Sequence, residues 1–254
     1  MKTLNKASFN FFYGLNDFFK PAKRDKVIWA AFNGSPAVKD TLESLGVPHP
    51  EVGSIMLNGE IVSFEQQITN GDQVDVYPAN WKLNSSTEYP LQPESPDNLR
   101  FVLDVHLGKL ARIMRMLGID TLYDSAYDDP QITEIGCREQ RFILTRDIDL
   151  LKQTKIKYGH WMRNTDPINQ TDEILLTFDV YSQMDPFTRC LSCNGMLRPV
   201  AKEKVADQLP PGVKKYYEKY HQCDRCQKVY WKGSHYEHMS EWLRKYYGIM
   251  EHGA

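Results

Sequence analysis

Two apolar runs in the middle of this chain each end on a carboxylate. Phe101-Val102-Leu103 leads into Asp104, and Phe142-Ile143-Leu144-Thr145-Arg146 leads into Asp147. Helix-like stretches alternate with these strand-like runs over residues 100–186, as in a parallel α/β unit. Ligand sites in such sheets gather beyond the carboxyl ends of the strands, where both acids would stand. Asp128-Asp129-Pro130 lies between them at the start of an expected helix. Three acids drawn together repel one another and require a cation. Hard oxygen donors suit Mg²⁺ or Mn²⁺. Carboxylates with a divalent ion are a standard device for cutting phosphodiesters.

Each acid also has a structural reading. Asp128 or Asp129 before Pro130 reads as a helix N-cap, and Asp147 can cap a helix carrying Leu150 and Leu151. Asp104 has no such reading: a carboxylate closing an apolar strand must be exposed, paired or metal-bound, with Arg112 and Arg146 as candidate partners. Thr145 is placed to orient a neighbouring carboxylate. His106 shares a face with Asp104 if that stretch stays extended; a structural histidine is the plainer reading. Leu107, Leu110, Ile113, Met114 and Leu117 recur at helical spacing, and Gly118 closes the helix. Lys109, Arg112 and Arg115 fall off that stripe, either as a solvated face or as a phosphate-contact stripe.

Residues 1–82 read as a small α+β unit. Strands are expected over Ala7 to Tyr13 and Lys26 to Phe32. A helix follows, capped by Ser35, with Pro36 in its first turn and Val38, Leu42 and Leu45 on one face, ending at Gly46. Asn58-Gly59 marks a tight hairpin, and Asn70-Gly71 turns into a last strand with Val74 and Val76 alternating. This order resembles the ubiquitin-like β-grasp fold of small sulfur-carrier proteins. Their free Gly-Gly tail is missing after Pro78-Ala79-Asn80-Trp81, so a scaffold or docking role, with a protein partner, is expected. Residues 83–99, with Asn84, Ser85, Ser86, Pro90, Pro93, Ser95 and Pro96, have the composition of a linker.

Cys190-x-x-Cys193 and Cys223-x-x-Cys226 lie in residues 187–254. Two such pairs argue for one tetrahedral, structural zinc; the 29 residues between them demand a long insertion in the ribbon. Cys137 stands alone in an expected helix as a buried, inert thiol. His235 and His238 are surface groups unless one replaces a cysteine. Tyr216, Tyr217, Tyr220, Tyr230, Trp231 and Tyr236 alternate with lysines, either as base-stacking groups or as the core of the module. Net charge is −2, so no global basic field advertises nucleic acid, but residues 187–254 hold 12 Lys and Arg against seven Asp and Glu. No apolar run spans a bilayer, and Asn10, Asn16 and Asp17 interrupt the N-terminal aromatic stretch too early for a secretory signal. A cytoplasmic protein without a membrane partner is expected.

The strings from Phe101 to Arg112, Met116-Leu117-Gly118, Tyr127-Asp128-Asp129 and Ile143 to Asp147 resemble the PIN-like Mut-seven C-terminal RNase family. The likeness continues through Arg189 to Gly195 and Val229 to Tyr236. It implies an α/β, PIN-like parallel-sheet domain over 100–186, followed by a zinc ribbon and C-terminal helix over 187–254; a β-grasp unit precedes this nuclease in some members. It further implies a Mg²⁺- or Mn²⁺-dependent ribonuclease. Asp104, Asp129 (with Asp128 beside it) and Asp147 would be ligands and catalytic acids, and Asp149 a fourth. Zinc would sit on the four cysteines, and RNA would meet Lys109, Arg112, Arg115 and Arg146. A catalytically silent RNA- or ribosome-associated adaptor is the competing expectation.

Overall fold

A computed structural model describes residues 4–81, 91–94, 96 and 98–248. Asn84, Ser85, Ser86, Pro90 and Ser95 of the expected linker lie outside the described residues. The chain forms two compact units, Met1–Ala111 with Tyr123–Ser182, and Arg112–Leu122 with Gln183–Ala254.

The first unit opens with β1 (Asn5–Phe11), β2 (Ile28–Phe32), α1 (Val38–Ser44), β3 (Val52–Leu57), β4 (Glu60–Val62) and β5 (Gln73–Pro78). Their sheet runs β2-β1-β5-β3-β4, with β1 parallel to β5 and the other pairs antiparallel: a β-grasp. Alternate residues of β1 and β5, among them Ala7, Phe9, Phe11, Val74 and Val76, pack with Val38 and Leu42 of α1. Asn58 and Gly59 turn the β3–β4 hairpin with φ of 52° and 90°, the left-handed geometry that such a two-residue turn requires.

Ser35 does not cap α1. The helix begins at Val38, and its first amides donate to carbonyls of a neighbouring segment, Val38 to Gln66 and Lys39 to Phe64 (2.8 and 3.1 Å). The first-turn donors are satisfied through the backbone. Ser35→Ala is therefore expected to change the urea unfolding midpoint by less than about 0.5 kcal/mol equivalent, where loss of a true cap would cost about 1 kcal/mol.

The chain continues through β6 (Phe101–Leu103) into α2 (Gly108–Met116), whose later turns and the short β7 (Thr121–Leu122) belong to the second unit. It then returns to the first unit with α3 (Asp129–Glu139), β8 (Phe142–Thr145), α4 (Ile148–Leu151), β9 (Gly159–Trp161) and α5 (Pro167–Phe178). β8 lies between β6 and β9, parallel to both, with Leu103 opposite Leu144 and Thr145 opposite Trp161. Every residue of β6 and β8 is buried, as befits strands covered on both faces.

The β-grasp part and the α/β part share a buried ionic cluster. Glu51 lies just before β3, and His160 comes to it from β9. His160 places Nδ1 3.0 Å from Glu51 and Nε2 3.1 Å from Glu173 on α5. With a carboxylate at each ring nitrogen, the imidazole is held as a cation donating from both. Arg163 reaches Glu51 and Asp17 (3.2 Å each) and the Gly14 carbonyl (3.2 Å). Burial pushes Glu51 up, but His160 and Arg163 outweigh it and hold the carboxyl at about 2. Burial pulls His160 down, and Glu51 and Glu173 more than reverse that, so its pKa is raised.

The pH dependence follows. Glu51 contributes stability that is present above its usual 4.5 and is lost as pH falls toward 2. His160 contributes stability that is full below 6.5 and is lost as pH rises through its raised value. The cluster is strongest between about pH 4.5 and 6.5. In urea titrations Glu51→Gln is expected to remove roughly 3 kcal/mol in that window and to flatten the acid limb. An unchanged acid limb would contradict this.

The second unit also holds β10 (Leu197–Val200), α6 (Lys202–Val205), α7 (Pro211–Tyr216), β11 (Tyr220–Cys223), β12 (Val229–Trp231) and α8 (Ser234–Tyr247). β10, β11 and β12 form an antiparallel sheet, the frame of a zinc ribbon. α6 and α7 fill the long gap between the cysteine pairs. Val205, Leu209 and Tyr220 make a small core there, with Tyr217 and Trp231 against it. No helix among the described residues is long and apolar enough to cross a membrane.

Candidate metal centres and basic surface

The acidic site is assembled by the β6–β8 pair. The Asp104 amide donates to Leu144 O (3.0 Å), so the parallel ladder extends one step past β6 and carries this aspartate with it. Asp104 is buried, 5 % exposed. The Thr145 hydroxyl donates to Asp104 Oδ2 (2.8 Å) and accepts from the Asp147 amide (2.8 Å). Thr145 is thus the orienting hydroxyl expected from its position. No basic side chain pairs with Asp104 among the described residues; neither Arg112 nor Arg146 does so. A buried carboxylate with one hydroxyl donor and no cation is costly unless something else compensates it.

Asp128, not Asp129, is the N-cap of α3: it accepts from the Gln131 amide (2.9 Å), and the Gln131 side chain returns the bond to the Asp128 amide (3.0 Å). Capping by Asp128 leaves Asp129, the first helical residue, with its carboxylate unspent. Asp147 caps α4, accepting from the Asp149 amide (2.8 Å). Desolvation raises the Asp129 pKa, and the charges of Asp147, Asp104 and Asp128 raise it further. These four acids therefore share one electrostatic neighbourhood. The Asp149 side chain is 85 % exposed and paired with Lys152 at 2.9 Å. Val105–Leu107 coils into a 3-10 turn and is not extended, so the extended face that would pair His106 with Asp104 does not form.

The second centre is tighter. Ligand atoms of Cys190, Cys193, Cys223 and Cys226 all lie within 4.8 Å of one another. Cys190 and Cys226 sulfurs are 3.6 Å apart, and Cys193 and Cys223 3.4 Å. Disulfides would need about 2.05 Å, whereas thiolates around one tetrahedral zinc at ~2.3 Å stand about 3.8 Å apart. The donor set and spacing fit zinc. The two knuckles repeat one another: Asn194 and Gln227, each four residues after the first cysteine, are both left-handed (φ 68° and 59°), and each amide bonds back to that cysteine's carbonyl. Burial raises the Cys190 thiol, but the Tyr230 hydroxyl and nearby amides outweigh it and bring it to about 7. Among the described residues this is the one group of three or more His, Cys, Asp or Glu side chains able to hold a metal by so close an approach; the aspartates are not drawn together to that degree.

The basic residues divide. Lys109 and Arg112 are exposed. Arg146 is exposed but directs Nη1 to the Asn164 carbonyl at 2.6 Å, with Met162 and Arg163 carbonyls at 3.4 Å. Arg115 corrects the expectation of a three-residue stripe. It is buried, 3 % exposed, and donates to the carbonyls of Thr121 (2.9 Å), Leu191 (3.3 Å) and Ser192 (3.0 Å). Residues three apart drift by about 60° per step around a helix, so the third member rotates about 120° from the first. It ties the end of α2 to the first cysteine knuckle. Cys137 is likewise a correction: it is exposed on α3, its thiol donates to Lys155 O (3.3 Å), and partial desolvation raises its pKa. Sequence reasoning missed the Glu51–His160–Arg163 cluster altogether, since its members are scattered and no spacing links them.

A β-grasp unit, a parallel sheet with acids beyond its strand ends and a four-cysteine ribbon follow one another along the chain. Residues 99–243, more than half of the chain, match the family described as the Mut7-C RNAse domain, and residues 4–84 match the Mut7-C ubiquitin family. The chain belongs to the Mut7-C RNAse domain family. No curated protein matches it.

Gly195 supplies a test of the cysteine centre. A Cβ there would stand 2.7 Å from Cys223 Sγ and 2.7 Å from Asp224 Oδ1. Gly195→Ala is expected to displace that sulfur and weaken zinc retention by about 10-fold or more, as does Cys193→Ser. Metal content by mass spectrometry against a competing chelator reads this; wild-type retention in both variants would contradict a zinc site built from the four cysteines.

Proposed function

We propose that the protein is a cytoplasmic, divalent-metal-dependent ribonuclease, with Asp104, Asp129 and Asp147 holding Mg²⁺ or Mn²⁺. The observation that carries this reading is Asp104: a buried carboxylate, without a cation partner among the described residues, in the same field as Asp128, Asp129 and Asp147. Oxygen donors alone suit a hard cation. The bound ion would supply charge neutralisation on the phosphate and a water activated for in-line attack.

The chain's own residues have separable tasks. Thr145 fixes the rotamer of Asp104 and, through the Asp147 amide, the turn that carries Asp147. Asp128 holds the head of α3 and so aims Asp129. Lys109, Arg112 and Arg146 are the cations that would receive RNA phosphates. Four thiolates leave a zinc no open position, so that metal is structural and its ribbon presents RNA-binding surface. The β-grasp part, buried through Glu51 against the α/β part, serves as scaffold and as the surface for a protein partner.

The test is cleavage of a labelled single-stranded RNA with added Mg²⁺ or Mn²⁺. Asp104→Asn is expected to lower the rate by about 100-fold or more at unchanged zinc content, and Thr145→Val by about 10-fold, since an orienting partner typically contributes roughly 10–100-fold. If wild type cuts nothing with either ion while it and Asp104→Asn bind RNA equally, the ribonuclease reading fails and a silent adaptor takes its place.

A further inference from the structure

A cleft in the second unit is chemically unlike either metal centre. Arg112 and Met116 of α2 face His235, His238, Met239 and Trp242 of α8 around a space of about 340 Å³, within the range of small-ligand sites. The four α8 residues are spaced i, i+3, i+4 and i+7, one face of a helix. Glu237 and Glu241 project from the other side of that helix by the same geometry. Arg112, His235 and His238 are exposed and make no ion pair or hydrogen bond among the described residues. Buried Met116 and half-buried Met239 and Trp242 supply the apolar wall.

The cleft is preorganised. The Phe187 amide donates to Met116 O and the Asp185 amide to Leu117 O (3.0 and 3.1 Å), clamping the end of α2 to the turn that precedes the first cysteine knuckle. The Phe187 ring packs on Tyr236 of α8 at 4.6 Å. Trp242 lines the cleft and packs against Tyr246 and Tyr247 at 5.1 and 5.6 Å.

We propose that this cleft binds one nucleotide of a single-stranded RNA, its phosphate against Arg112, His235 and His238 and its base against Trp242. An unpaired guanidinium beside two unpaired imidazoles asks for an anion that can also accept hydrogen bonds; an indole wall lined with thioethers asks for a flat apolar group; a nucleotide carries both. Arg112 stands eight residues after Asp104. The inference rests on the ribonuclease reading for the choice of RNA, and on the cleft alone for the phosphate-and-base chemistry.

Anisotropy of fluorescent ten-nucleotide oligo(U) and oligo(dT) tests it, using full-length zinc-loaded protein carrying Asp104→Asn and no added divalent ion. Arg112→Ala and Trp242→Leu are each expected to weaken oligo(U) binding about 10-fold, while Trp242→Phe keeps most of the affinity. Arg112→Ala also lowers the salt slope by about one. Zinc content and circular dichroism check that each variant is folded; His235→Ala, exposed at its own position, supplies a milder loss if Trp242→Leu is not. Oligo(U) bound at least as tightly as oligo(dT) supports the assignment. Folded variants that bind oligo(U) within twofold of the parent, a clear preference for oligo(dT), or loss with Arg112→Ala alone overturn it. Cleavage plays no part in this readout, so a wild type that cuts nothing sinks the nuclease reading and leaves the cleft to be judged separately.

Discussion

Asp104 and Thr145 are 41 residues apart, and the parallel pairing of β6 with β8 makes them neighbours. That ladder fixes the acidic site. It extends to the Asp104 amide, and the Thr145 hydroxyl then has two partners, donating to Asp104 and accepting from Asp147. One hydroxyl thus couples the ends of two strands. A one-residue slip would turn each buried side chain into the opposite layer and carry Asp104 away from Thr145, so core packing and the site select the same pairing.

The two centres solve like-charge crowding differently. The thiols of the ribbon can stay protonated until a metal arrives: burial raises Cys193, Cys223 and Cys226, so four sulfurs approach closely without four charges. The aspartates stand further apart, and desolvation first, then the charges of Asp147, Asp104 and Asp128, raise the Asp129 pKa. Two of those acids are also given helix caps, Asp128 on α3 and Asp147 on α4, which lend each carboxylate an amide donor.

The β-grasp part is joined to the α/β part by charge as well as by packing. Trp81 stacks edge-on against Phe142 at 4.8 Å, and His49 bonds to the Ile156 carbonyl at 2.7 Å, beside the Glu51–His160–Glu173–Arg163 cluster. Arg163 also lies in the chain segment whose carbonyls hold Arg146, next to Asp147. A change on the β-grasp side therefore has a short covalent and hydrogen-bonded route to the acidic site.

Local rules were enough to read much of this from the chain. Period-two alternation located β5, Asn58-Gly59 fixed its hairpin, apolar runs ending in Asp104 and Asp147 announced a parallel sheet, and paired CxxC spacing announced the ribbon. Each of these is set by neighbours in sequence. What depended on distant contacts was decided only by folding. Ser35 was displaced as a cap because Gln66 and Phe64 offered carbonyls; Arg115 turned inward because Leu191 and Ser192 offered theirs. The buried Glu51–His160 pair and the Arg112–Trp242 cleft join residues more than 100 positions apart. No periodicity encodes such meetings, because an isolated charge or ring acquires its partner only when tertiary packing removes water and leaves it one.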